Sequence, residues 1–184
     1  MTIYDGSTFT HEGLEFHVRI EPDDNYDPPW ERSDGHGPVR LARGTPHTCG
    51  KRAGERILHS DRHTVWLYDW QKACELARRD GWNTKPYDAP NRIERAVQAD
   101  FDFLRRWLDE QWCYVGVCVS LADQAPDYAH SVWGIESDAS DYIEETAHEL
   151  ADEIISERRT AWRKAMREAR ERKRWAQRDV ITSA

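Results

Sequence analysis

A chain of 184 residues has room for one ordinary domain with an appendage, and little room for two. Its composition, 39% apolar and 33% charged with a net charge of −8, predicts a real core under a heavily charged surface. No apolar run approaches the roughly 18 residues of a membrane helix, and no basic-then-apolar leader opens the chain, so the expectation is a soluble cytoplasmic protein.

The first recognisable element is "LEFHVRI" (Leu14 to Ile20), where apolar and polar residues alternate with the period of a half-buried strand. "EPDDNYDPPWERSDGHGP" follows, rich in Pro, Gly, Asp and Asn, and predicts a long irregular loop over 21–55, with "ERILH" as a short strand at its end. "TVWLYDW" reads as a strand entering a helix, with Asp69 as N-cap and Gly81 as the C-terminal stop. After a loop with Pro86 and Pro90, "RIERAVQADFDFLRRWLDEQ" places Ile93, Val97, Phe101, Leu104 and Leu108 on one helical stripe. "WCYVGVCVSL" is apolar on both faces and predicts a central strand; "HSVWGIE" pairs with it as an antiparallel hairpin across a loop containing "DQAPD".

From Asp138, read as the cap with Asp141 in the capping-box position, the chain predicts one uninterrupted helix buried along Ile143, Ala147, Leu150 and Ile154. Residues 141–177 would span roughly 55 Å at about 1.5 Å per residue, against a body about 40 Å across, so the helix is expected to project. The fold expected is α+β: a small antiparallel sheet of about four strands, two short helices and the long C-terminal helix. Residues 1–155 form the acidic domain and 156–184 a basic helical extension.

Cys49, Cys74, Cys113 and Cys118 are irregularly spaced. Cys113 and Cys118 differ by an odd number and would face opposite sides of a strand, which argues against a bridge. Reduced thiols are expected, with Cys74 a small buried residue of a helix.

Charge is divided along the chain. Ser156 to Ala184 holds ten Lys or Arg against four Asp or Glu, leaving 16 against 30 in residues 1–155. The basic segment "RRTAWRKAMREARERKRW" presents Arg158, Arg159, Arg163, Lys164, Arg167, Arg170, Arg172, Lys173 and Arg174. Such a segment fits nucleic acid, with a log–log salt slope near −5 if about six cations met phosphates. It fits an acidic protein surface as well. It also fits a solvated helix end, where cations suit the backbone dipole, or a homodimer contact through the long helix.

The acidic residues divide into a loop set (Glu21, Asp23, Asp24, Asp27, Glu31, Asp34) and a helix set (Glu144, Glu145, Glu149, Asp152, Glu153). Together they could imitate a phosphate backbone, with Tyr26 and Trp30 as aromatic anchors within the loop. The plain alternative is solubilising charge.

Catalytic and metal patterns are weak. His47 with Cys49, and His59 with His63, match no zinc finger or ribbon, and no cofactor is expected. No Gly-rich phosphate loop, "GxSxG" or "HExxH" occurs, so a non-enzyme is expected. "DGHGP" (Asp34 to Pro38) reads as a turn or, in a weaker option, as part of a hydrolase or metal site with His36, His47 and Cys49.

"DGHGPVR", "KRAGERIL", "YDWQKACELARRDGW", "AVQADFDFLRRW", "WCYVGVCVSL" and "SVWGIESDASDYIEETAHELADEI" together resemble a family of small conserved proteins of tailed bacteriophages and prophages. The resemblance runs from about Gly35 to Ile155 and carries no catalytic residues. It implies an accessory protein that binds and disables a bacterial nucleic-acid-handling complex, as anti-CRISPR and anti-restriction inhibitors do. The alternative is a nucleic-acid-binding protein of phage DNA or RNA metabolism that uses the basic helix.

Overall fold

The structure is a computed structural model and describes residues 3–32, 35–82, 91–124 and 129–182, with side chains up to residue 174. Asp34, the loop with Pro86 and Pro90, and Ala125 to Asp127 of the "DQAPD" loop lie outside the described residues. The fold is α+β, and the chain divides into two compact units: Met1–Asp24 with Tyr114–Ala184, and Asn25–Cys113.

The first unit is built on a four-stranded antiparallel sheet, the number expected, although its β1 is not among the strands read from the sequence and "TVWLYDW" lies in the other sheet. β1 (Thr8–His11) and β2 (Leu14–Pro22) form a hairpin whose two-residue turn is Glu12 and Gly13, both at positive φ (47° and 80°). That is the backbone a tight hairpin demands, and Gly13 adopts it without a Cβ penalty.

The second unit supplies the next elements. These are α1 (Pro29–Arg32), β3 (Val39–Arg43), β4 (Glu55–Ser60), β5 (Thr64–Asp69), α2 (Trp70–Asp80) and α3 (Arg92–Leu108). The chain then returns as β6 (Tyr114–Leu121) and β7 (His130–Glu136), and ends in α4 (Ser140–Thr182). Strand order in the first sheet is β1-β2-β6-β7, so β6 is internal, and all eight of its residues are buried. The whole second unit is thus an insertion between two neighbouring strands. At the entry point the Asp23 amide donates to the Tyr114 carbonyl at 2.9 Å.

One face of this sheet is covered by α4. Phe9, Phe16, Val18, Val115, Val117, Val119, Leu121 and Ile135 meet Ile143, Ala147, Leu150, Ala151, Ile154 and Ile155. Burying each larger aliphatic or aromatic side chain contributes about 1.5–3 kcal/mol, so this seam dominates the unit's stability. It also fixes which way the rest of α4 faces.

The second unit holds a three-stranded antiparallel sheet, order β3-β5-β4, which the expectation of one small sheet missed. The predicted irregular loop over 21–55 is corrected by the same elements. Pro29 begins α1, where its missing amide costs nothing, and "VRLAR" pairs with β5 from Val39↔Tyr68 to Arg43↔Thr64. Local caps follow the sequence: the Asp69 carboxylate accepts from the Lys72 amide at 2.9 Å, and Gly81 closes α2 in the left-handed conformation. Val97, Phe101 and Leu104 of α3 are buried with Leu58, Tyr68, Ala73, Cys74 and Ala77.

One further expectation changes. The cap of α4 falls one residue later than Asp138, because the first helical bond joins the Ile143 amide to the Ala139 carbonyl. α4 runs unbroken from Ser140 to Thr182, the single helix expected, and the chain divides into its two units at Asn25 and Cys113. All four cysteines are free, with Cys113 exposed and Cys118 buried in β6.

Glu55 supplies a pH-dependent tie at the start of β4. Its carboxylate accepts from Arg40 Nε at 2.6 Å and Nη2 at 2.8 Å, and from the Arg52 amide at 2.7 Å. The Arg40 guanidinium, helped by that amide, holds the carboxyl at about 2 against an ordinary 4.5. A carboxyl depressed in the folded state stabilises above its unfolded pKa and loses that contribution as pH falls through the folded one. Denaturation midpoints should therefore drop between about pH 4.5 and 2, and Arg40→Met should flatten that part of the profile. Identical acid limbs for both proteins would show that the pair contributes nothing.

Candidate functional site

α4 carries two faces with different chemistry. Opposite its apolar seam, Asp141, Glu145, Glu149 and Asp152 recur at steps of four and three, so they share one face of the helix. The same stepping continues through Ser156 and Thr160 into Arg163, Arg167, Arg170 and Arg174. Each of these ten residues is exposed. From 140 to 157 the helix has seven carboxylates and no Lys or Arg; from 158 to 174 it has nine cations and two carboxylates. The change of sign falls between Glu157 and Arg158.

Neighbouring strands brace this face. His11 Nε2 of β1 lies 2.7 Å from Asp152 Oδ1, which still leaves the Asp152 side chain 64% exposed. His130 of β7 lies 3.6 Å from Glu153 and 3.3 Å from Glu157. Arg159 reaches the β1–β2 turn through Glu12 at 2.7 Å. Beyond that contact Arg163 to Arg174 is exposed throughout, together with Trp162 (63%) and Met166 (40%).

Other residues named from sequence are dispersed. Asp23 is half-buried and Asp24 exposed at the end of the first unit's β2 segment. In the second unit Tyr26 lies under the Arg32 guanidinium at 4.0 Å, Asp27 and Glu31 are exposed, and Trp30 packs on Trp66 and Trp107 at 5.2 and 5.4 Å. Trp30 is therefore held within an aromatic cluster of its own unit. Glu144 is half-buried, off the exposed acidic stripe.

His47, Cys49, His59 and His63 do not converge: among the described residues no group of three His, Cys, Asp or Glu is placed to hold a metal ion. Cys49 is buried with Ala42, Val65 and Leu67, and His59 Nδ1 pairs with Asp109 at 2.7 Å. His36 does not join Cys49; its partner is Asp100, a residue that sequence reading passed over.

Asp100 is a buried carboxyl on α3 that gathers three donors. His36 Nδ1 lies 2.6 Å from Oδ1, while the Gly37 amide (2.8 Å) and the Tyr68 hydroxyl (2.6 Å) both donate to Oδ2. Burial first, and the Asp100 charge second, hold the Tyr68 phenol well above its ordinary range, so it stays a donor. A side-chain carbon at Gly37 would run into the Tyr68 ring, so the residue after His36 must be glycine for this approach.

His36 stacks on Phe103 at 5.5 Å and 6°. It edges a cleft of about 730 Å³ formed with Trp30, Leu76, Arg79, Asp80 and Trp82. A His–Asp pair beside a cleft is the geometry of a general base; among the described residues no Ser, Thr or Cys hydroxyl or thiol lines this one. The bonds from His36 and Gly37 to Asp100 pin the 35–38 segment to α3. No family model, curated protein or solved structure matches the chain.

Proposed function

We propose that this chain acts by binding, as a bacteriophage accessory protein in the host cytoplasm. Its target is a bacterial nucleic-acid-handling defence complex of the CRISPR or restriction kind, whose nucleic-acid site it occupies. The observation that carries this reading is the acidic half of α4. Asp141, Glu145, Glu149, Asp152, Glu153 and Glu157 are all exposed. They extend over about 24 Å, or one charge per roughly 4–5 Å, close to the ~3.4 Å per charge of a nucleic-acid strand. A helix braced by a sheet holds that row ready, so little ordering entropy opposes binding. No Lys or Arg stands between Arg106 and Arg158 to interrupt the negative field. The bacteriophage setting rests on the resemblance described above.

A second reading follows from the exposed cations of 158–174, which could take DNA or RNA directly. Displacement separates the two. Labelled DNA would be bound to purified CRISPR and restriction complexes and the chain titrated in at about 0.15 M salt, alongside a control without the complex. The expected result is release of DNA from at least one complex with no binding of DNA by the chain alone. Direct binding that weakens with a log–log salt slope near −5 would replace the first reading with the second.

A further inference from the structure

The order of charges along α4 points to a specific partner for its exposed face. The stripe runs Asp141, Glu145, Glu149, Asp152, then Ser156 and Thr160, then Arg163, Arg167, Arg170, Arg174. Reflected about the boundary between Glu157 and Arg158, Asp141 falls opposite Arg174, Glu145 opposite Arg170, Glu149 beside Arg167 and Asp152 opposite Arg163. Every carboxylate of the stripe meets an arginine, and the short polar Ser156 and Thr160 fall near the axis. A random arrangement of the same residues would leave like charges facing one another.

We propose that α4 pairs antiparallel with α4 of a second copy of this chain, with the twofold axis at Glu157/Arg158. A twofold contact is self-complementary: if residue i of one copy meets j of the other, j also meets i. The four acid–arginine matches therefore occur twice, once in each half of a contact about 50 Å long. Met166, 40% exposed, borders the stripe and adds apolar area in both halves. Asp152 keeps its bond to His11 and still presents most of its carboxylate.

Exposed ion pairs are individually weak and screened by salt, so the dimer is a low-salt species that loosens as ionic strength rises. This inference goes beyond the inhibitor reading and does not rest on it. Its test contains no target, so its failure would leave that reading untouched.

The test uses two full-length variants. One carries D141R/E145R/E149R/D152R and the other R163E/R167E/R170E/R174E. All eight positions are exposed, and circular dichroism checks the fold of each. Sedimentation equilibrium at 50 mM and 500 mM NaCl should show the unaltered chain dimerising at low salt, with a dissociation constant at least about tenfold weaker at high salt. Each variant alone should be monomeric, because like charges now face one another. Mixed one to one, they should form a heterodimer, since every match is restored with its sign reversed. A chain carrying all eight changes should dimerise again. A wild-type monomer at 50 mM NaCl, or a mixture that stays monomeric while the unaltered chain dimerises, would overturn the proposal.

Discussion

Replacing Asp100 with Ala should cost the second unit about 3–5 kcal/mol, a large share of what a domain of this size has to lose. The carboxyl is the shared acceptor of the His36 ring, the Gly37 amide and the Tyr68 hydroxyl. Its removal leaves the Gly37 and Tyr68 donors inside the protein with nothing to receive them, at about 1–3 kcal/mol for each orphaned group. Asp100→Asn should be much milder, about 1 kcal/mol. The amide oxygen can take the place of Oδ2 and keep both buried donors, while the NH2 donates to His36 Nδ1 once that ring carries its proton on Nε2. The two substitutions thus separate a lost acceptor from a lost charge. Urea denaturation measures the difference, and hydrogen exchange at the Gly37 amide locates it. If Ala and Asn prove equally mild, the 35–38 segment is held by packing against Phe103 and Tyr68 alone.

Asp100 also shows where reading the chain in one dimension stops. Local signals carried through: Asp69 and Gly81 bound α2, β6 is buried on both faces, and the Val97–Phe101–Leu104 stripe faces the core. Each depends on residues within a turn or two of itself. Asp100 lies 64 residues from His36 and 32 from Tyr68, so its partners cannot be inferred from neighbours. One signal was present, since position 100 is three residues after Val97 and four before Leu104 and falls on the buried stripe. An acid at such a place predicts a buried hydrogen-bonded group.

The second unit escaped for a related reason. β2 and β6 are adjacent in the sheet although the entire second unit separates them, and strand alternation alone does not name a partner. β3 escaped because five residues between Pro and Gly are too short to show a period against their surroundings. By contrast the charges of α4 are legible in the sequence as residues, though not as a stripe, because cations lie on nearly all sides of the helix after Arg158. Glu145, Glu149, Asp152, Arg163, Arg167, Arg170 and Arg174 were all named, and the structure adds that they share one exposed face.

That face is the one a target would meet. Against the complex identified by DNA displacement, E145Q/E149Q/D152N should weaken binding about tenfold, since three exposed charge contacts at about 0.5 kcal/mol each amount to roughly 1.5 kcal/mol. E145K/E149K/D152K should weaken it by about a hundredfold or more, because each site changes from attraction to repulsion against a surface built for phosphates. A loss that grows with charge at unchanged shape identifies electrostatic competition with nucleic acid; equal losses for both variants would identify steric contact instead.

The arginine variant R163E/R167E/R170E/R174E then distinguishes what the basic half does. If α4 pairs with itself, the acidic face is masked in the dimer, and the apparent affinity for a target is reduced by the fraction of chain held in pairs. Freed of that pairing, the variant should bind its target as tightly as the unaltered chain or more tightly, most visibly at low salt and high protein concentration. Weaker binding at all concentrations would instead make the basic half a second contact with the target, and would place both halves of α4 on the same partner.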